Sequence, residues 1–274
     1  MNVTFWGVRG SIACPGKRYA QVGGNTSCVE VEAGGTTVVL DAGTGLRELG
    51  ASLTKRRVER CHLLLSHTHW DHTCGLPFFR PAFDATHAMQ IVAGHLSDRE
   101  GGIRTVLATQ MSSPSFPVSL DAFGAALTFL DVASGASFEL AEGLVVHTAR
   151  LAHPDGATGY RIEHGGVALA YVTDTEHEPG RPDPHVLSLI ADADLVIYDC
   201  TYTDLEFEAR CGWGHSTWQE GVRLCRLAGA RRLAIFHHDP DHDDAFMRSV
   251  SADAKTAWPG AFVAREGHRV RLSR

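Results

Sequence analysis

The sequence predicts an α/β domain in which layered sheets carry helices on their outer faces. Three observations lead there. Segments with the strand period of two come first, strand segments mixed with helical ones follow, and no repeat or linker separates them. At 274 residues, 44% of them hydrophobic, the chain could fill one large domain or two small ones. Without a linker, we read one domain over 1–274.

Residues 2–6 (NVTFW) make a short strand, and a glycine-rich loop runs from Gly7 to Gly23-Gly24-Asn25. Residues 27–32 (SCVEVE) alternate with the strand period, Gly34-Gly35 signals a hairpin turn, and 36–40 (TTVVL) return. Asp41–Gly45 (DAGTG) ends that strand, a short helix covers 44–54, and 62–66 form the next strand. Residues 77–125 hold Pro81, Pro114, Pro117 and Gly101-Gly102, and read as an insertion or lid with a helix around 97–111. Strands recur at 126–130, 144–149, 159–163, 167–173, 195–199 and 232–236, with helices at 184–191 and 243–256. Thr217 followed by Glu220 resembles a capping box and starts a helix running to about Ala228.

The composition excludes some functions. With 25 basic and 32 acidic residues the net charge is −7, wrong for a protein that grips long nucleic acid by neutralising phosphates. Seven scattered cysteines form no CxxC pair and read as free thiols of a reducing compartment. The N-terminus lacks the pattern of a signal peptide, and no apolar stretch approaches a membrane span of about 18 residues. The expected location is the cytoplasm, with no membrane partner.

The chemistry lies at strand ends. Residues 67–72 read HTHWDH, directly after the strand 62–66. Imidazoles and carboxylates packed so tightly need partners, and a metal ion satisfies most of them at once. His153 follows the strand 144–149, Asp174 follows 167–173, and His237-His238 follows 232–236. Each has an ordinary reading alone: a surface or core histidine, a turn residue. Four separate strands each ending in a metal-type ligand make coincidence a poor account.

This pattern resembles the metallo-β-lactamase-fold hydrolases, across essentially the whole chain. The resemblance implies an αββα four-layer sandwich with two divalent metal ions, zinc first, manganese or iron as alternatives. It implies that His67, His69 and His153 hold one ion, that Asp71, His72 and a late histidine hold the other, and that Asp174 bridges them. The late ligand in the family ends a strand of the type Leu-x-Leu-x-His. Leu233 to His237 fits that, so His237 is preferred and His238 stays open. With both ions about 3.5–4 Å apart, a shared water would lose its proton near neutral pH and attack an electrophile. Such machinery serves a phosphodiester, a thioester or a lactam alike, so fold and metals leave the substrate open.

A further stretch narrows the choice. LVIYDCTYTD at 195–204 and GHST at 214–217 resemble the branch containing ribonuclease Z, the tRNA 3′-end endonuclease, and related cyclic phosphodiesterases. Asp199, Thr201, Tyr202 and His215 match; Asp199 stands where that branch often has Glu. The implied roles are proton donation to the leaving alkoxide by His215, oriented and kept protonated by Asp199. Asp71 joins them among the implied catalytic residues. His215 read alone is a polar residue at a helix start. The loop FWGVRGS at 5–11 and GGNTS at 23–27 resemble the same branch, which implies substrate contacts from Arg9, Asn25 and Thr26, with Arg9 on a phosphate. The alternative is a set of ordinary turns. Asp41 is either a partner of a ligand histidine or a strand-end cap.

Ribonuclease Z itself departs from this chain. Its tRNA-gripping arm lies between the third histidine ligand and the bridging aspartate, where here only 20 residues separate His153 from Asp174. No Cys/His-rich structural metal site of the phosphoribosyl enzymes is evident. The expected substrate is a small phosphodiester: a cyclic nucleotide, a phosphoribosyl cyclic phosphate or a short oligonucleotide. The alternatives are a thioesterase or lactonase on the same fold, or ribonuclease Z-like RNA processing. The resemblance also implies a possible homodimer. His242 stands as a candidate outer partner of the late ligand, and the aspartate run 239–244 reads as a solvated turn and helix start.

Overall fold

A computed structural model of the protein describes residues 1–273. Fourteen strands are described: β1 (Asn2–Gly7), β2 (Cys28–Ala33), β3 (Thr36–Leu40), β4 (Arg60–Leu65), β5 (Ala88–Ala93), β6 (Ala126–Asp131), β7 (Ser137–Ala141), β8 (Leu144–Leu151), β9 (Ala157–His164), β10 (Val167–Val172), β11 (Leu195–Asp199), β12 (Leu233–Phe236), β13 (Ala261–Val263) and β14 (Arg269–Arg271). The helices are α1 (Leu46–Arg56), α2 (Trp70–Thr73), α3 (Gly102–Gln110), α4 (Pro184–Ile190), α5 (Asp204–Phe207), α6 (Trp218–Leu227) and α7 (Asp244–Ala257).

The strands form two seven-stranded sheets, in the orders β14-β1-β2-β3-β4-β5-β6 and β13-β12-β11-β10-β9-β8-β7. Each is antiparallel in one half and parallel in the other: β3 to β6 run parallel in the first, β10 to β13 in the second. The sequence explains the difference. β10 (VALAYV) and β11 (LVIYD) are buried at every position, as strands covered on both faces are. The β2–β3 hairpin turns on Gly34 and Gly35 with φ of 57° and 78°, positive at both turn positions as a two-residue hairpin turn requires.

The largest apolar cluster joins the sheets, with Val29, Val31 and Val38 of the first meeting Tyr160, Leu169 and Ile197 of the second, and extends to Val222 of α6 and Val250 of α7. A second cluster packs Leu46, Leu49 and Leu53 of α1 and Leu107 of α3 against the outer face of the first sheet. The order helix, sheet, sheet, helix is the four-layer αββα sandwich. No helix among the described residues is long and apolar enough to cross a membrane.

Several expectations are corrected. Residues 77–125 are not an insertion: β5 lies within them and pairs in parallel with both β4 and β6, so the segment is built into the first sheet. The helix expected around 97–111 begins only at Gly102, because Gly101 before it takes a left-handed φ of 77°, which a right-handed helix cannot run through. Thr217 does accept from the Glu220 N–H at 3.0 Å, but the Glu220 side chain turns to Arg223. The reciprocal capping box is at Thr203 and Glu206.

Candidate metal centre

The residues of HTHWDH leave β4 at the rim where the parallel strands of both sheets end. β8, β10, β11 and β12 end at the same rim, and bring His153, Asp174, Asp199 and His237 to it. Two sets of donors result, one of His67, His69 and His153, the other of Asp71, His72, Asp174 and His237, each with ligand atoms within 4.8 Å of one another. Asp174 faces both: its Oδ1 lies 3.8 Å from His67 Nε2 and 3.9 Å from His153 Nε2, and its Oδ2 3.2 Å from His72 Nε2. Across the second set, His237 Nε2 lies 3.4 Å from Asp71 Oδ2 and 3.3 Å from Asp174 Oδ1. His238 instead donates from Nε2 to the Ala264 carbonyl at 2.9 Å, away from the cluster.

These residues fit two cations. His67 Nε2 is buried without a hydrogen-bond partner among the described residues, a costly state for a polar atom unless a metal takes its lone pair. Burial, reinforced by its histidine neighbours, holds the His67 pKa well below the ordinary value, so its imidazole stays neutral as a ligand must be. Burial opposes charge on Asp174, yet His237 and His72 beside it hold its carboxyl well below the usual carboxylate range.

Outer partners fix the ring orientations. Asp41 Oδ2 takes the His72 Nδ1–H at 2.7 Å, and the same carboxylate accepts from Ser66 and, at 2.7 Å, from the Tyr171 hydroxyl. Of the two readings of Asp41, the histidine partner is therefore the observed one. His153 donates from Nδ1 to the Gly214 carbonyl at 2.8 Å, leaving Nε2 for the cluster. Thr201 Oγ1 lies 3.0 Å from His237 Nδ1 and donates to Asp199 Oδ1 at 2.7 Å.

His215 faces this centre from the loop before α6. Its Nδ1 lies 3.0 Å from Asp199 Oδ2 and 3.9 Å from Asp174 Oδ1, and its ring stacks on His237 at 5.0 Å between centroids. Burial opposes protonation, but Asp199, followed by Asp174 and Asp71, overrides it and pushes the His215 pKa up to about 9. Beside the centre, Trp70, Cys74, Pro77, Phe78, Met111 and Phe116 line an apolar groove of about 360 Å³.

The expected substrate contacts of the glycine loop are corrected. Arg9 is fully buried and its guanidinium donates to the carbonyls of Gly23 at 2.8 Å, Asp239 at 3.1 Å and His242 at 2.6 Å. It ties the loop to the segment after β12 and does not reach the centre. Asn25 donates to Glu266 Oε2 at 3.1 Å and accepts from Thr44, while Thr26 Oγ1 accepts from the Thr44 N–H at 2.9 Å. The loop touches the centre elsewhere, where the Ser11 N–H meets Asp71 Oδ2 at 2.8 Å. His242 is bound to Glu206 at 2.8 Å and takes no part. Ser66, Tyr171 and Glu176 carried no motif signal, because their partners come from other strands and loops.

Comparison with known proteins agrees with this geometry. The beta-lactamase superfamily domain matches residues 36–238. The chain belongs to the beta-lactamase superfamily. Among its relatives, a protein named Ribonuclease Z from Haloarcula marismortui is 24% identical over 97% of this chain and 94% of its own length. Two solved structures share the fold. The short form of human tRNase Z (ELAC1) has a TM-score of 0.70 at 20% identity over 100% of both chains. A diphosphatase of the PhnP family has a TM-score of 0.72 at 17% identity, over 99% of this chain and 98% of its own. This superfamily member is a metal-dependent hydrolase of the metallo-β-lactamase fold, in the branch with ribonuclease Z, and its centre is built for divalent cations.

Proposed function

We propose that the protein is a phosphodiesterase acting on a small phosphodiester. The observation that carries this reading is His215, held at 3.0 Å from Asp199 and facing both donor sets through Asp174. Hydrolysis of an alkyl phosphodiester expels an alkoxide, which needs a proton or a positive charge as the P–O bond breaks. A thioester or an activated lactam has a better leaving group and does not call for this pair. Two cations, zinc in our reading, held by His67, His69 and His153 and by Asp71, His72 and His237 with Asp174 between, would supply an activated water nucleophile and neutralise phosphate charge.

The protein's own groups do the rest. Asp199 accepts the His215 Nδ1–H and directs Nε2 outward, so the proton leaves from Nε2 to the leaving oxygen. The Thr175 and Thr201 N–H groups, both at 3.1 Å, fix the Asp199 carboxylate itself. Asp71, anchored by Ser11, completes the second donor set.

The relatives named for tRNA processing favour a second reading, RNA 3′-end cleavage. Against it, the stretch between His153 and Asp174 is occupied by β9 and β10, and the net charge is −7. The test is hydrolysis by zinc-loaded protein of bis(p-nitrophenyl) phosphate and of the dinucleotide thymidylyl-thymidine, with nitrocefin, a thioester and a pre-tRNA as controls. Cleavage of both diesters, with the dinucleotide rate largely lost in His215→Ala, supports the proposal. Turnover of the thioester, nitrocefin or pre-tRNA in preference to the diesters would overturn it.

A further inference from the structure

The loop that delivers His215 also delivers a large exposed aromatic. Trp213 is 58% exposed two residues before His215. An exposed indole on a mobile loop would mean little, but this loop is pinned. The Glu176 carboxylate accepts the N–H groups of Gly212 at 2.9 Å and Gly214 at 2.8 Å, on either side of Trp213. His153, a member of the first donor set, donates to the Gly214 carbonyl. Gly214 sits at φ 83° with no room for a side chain: a Cβ there would lie 2.4 Å from His153 Nδ1. The backbone on both sides of the indole is thus held in place, and the ring stands out in solvent.

Its neighbour is a cation. The Arg210 guanidinium carbon lies 5.0 Å from the Trp213 ring centre and 5.8 Å from that of Tyr202. Tyr202 in turn stands edge-on to the His215 ring at 6.0 Å and 78°. Among the described residues no carboxylate pairs with Arg210. The series Trp213, Arg210, Tyr202, His215 joins a flat aromatic face and a free positive charge to the proton donor.

We propose that Trp213 and Arg210 form a platform for the base of a nucleotide phosphodiester, Trp213 stacking on the purine or pyrimidine and Arg210 adding a cation–π and phosphate contact. This rests on the phosphodiesterase reading and names its substrate class: a base-bearing diester in place of a bare sugar phosphate. Stacking of one base on an aromatic side chain contributes about 1–3 kcal/mol, which is a change of roughly 5- to 150-fold in affinity.

Two substrates with the same leaving group test it, thymidine 5′-(p-nitrophenyl phosphate) and methyl p-nitrophenyl phosphate, with zinc-loaded wild type, Trp213→Ala and Trp213→Phe. Trp213→Ala should raise KM for the nucleotide ester about 10-fold with kcat within about twofold, leave the methyl ester unchanged, and be largely rescued by Trp213→Phe. Equal effects on both esters, or none on the nucleotide ester, would overturn the platform. If wild type cleaves neither ester, the phosphodiesterase reading fails and the platform is judged by binding alone. Titration with AMP should then quench tryptophan fluorescence in wild type more than ribose 5-phosphate does, and the difference should vanish in Trp213→Phe. Equal quenching by both ligands, or a difference that survives in Trp213→Phe, rejects it.

Discussion

Replacing Asp199 with Asn removes the charge facing His215 while keeping a side chain of nearly the same shape. Asp199 is fully buried, and its Oδ2 lies 3.0 Å from His215 Nδ1. Burial disfavours the imidazolium; Asp199 leads the charges that overcome burial and bring its pKa to about 9. Without that charge burial weighs more heavily and the pKa falls; the ordinary histidine value of about 6.5 serves as the reference for the variant. The protonated fraction at pH 8 then falls from about 0.9 to about 0.03, a loss of roughly 30-fold in general-acid activity. At pH 6 both proteins are mostly protonated and the loss is less than about twofold. The sign follows from the raised pKa: the working form is complete at low pH and is lost as pH rises through the pKa, at lower pH in the variant. Bound cations lower this pKa in both proteins and move both limbs to lower pH, so the readout is the separation between the two limbs and not the loss at one fixed pH. The assay is kcat/KM for thymidylyl-thymidine from pH 6 to 9.5 at constant ionic strength. Limbs at the same pH in both proteins, with one constant loss throughout, would make Asp199 a purely structural residue, and no loss at any pH would refute the pairing.

Gly10→Ala should uncouple the metal centre from the fold. A Cβ on Gly10 would lie 2.4 Å from the His237 ring, which therefore has to move. Zinc retained after dialysis against weak chelator should drop, with affinity reduced about 10- to 100-fold, while the circular dichroism spectrum stays that of the wild type. His238→Gln should flatten the acid limb of stability. Burial, with Arg9 behind it, lowers the His238 pKa to about 3, so the unfolded chain binds that proton first. The stabilisation is complete above about pH 6.5 and is lost as pH falls toward 3; at pH 5.5 it amounts to about 1.4 kcal/mol of lost stability relative to pH 7.5. Denaturant unfolding of metal-free wild type and variant at those two pH values should show the wild type losing about 1.4 kcal/mol more than the variant.

What was legible in the sequence was what a single segment carries. HTHWDH announces itself because no core tolerates it unpaired, and the strands behind Asp174 and His237 read clearly as apolar runs. Between the two adjacent histidines, the strand pattern favoured His237, and the structure puts the other on a backbone carbonyl. What depends on two segments was not legible. β5 (AMQIVA) is an ordinary buried strand, but prolines and glycines around it made the whole region look inserted. β13 and β14 are three residues each, too short for periodicity to show. A glycine loop beside a basic residue suggests that Arg9 faces a phosphate. Which way it points is decided by the backbone carbonyls of Asp239 and His242, more than 200 residues away.

The backbone itself gives the last link between fold and site. Asp41, Asp174 and His237 all take left-handed φ, of 61°, 56° and 61°. Each stands directly after a strand or one residue beyond it, at the ends of β3, β10 and β12. A residue there without glycine's freedom carries strain of roughly 1–3 kcal/mol and persists only if its surroundings over-determine it. Those surroundings are present: β10 and β12 are buried at every position, and the three side chains are locked by Tyr171, Thr173 and Thr201. The abrupt bend is what stops a strand and swings its next side chain over the rim. Three bends, one on β3 of the first sheet and two on β10 and β12 of the second, converge two carboxylates and an imidazole on one small volume. Strand packing and these side-chain partners thus hold Asp174 and His237 within the donor sets, with Asp41 behind them, from the protein side.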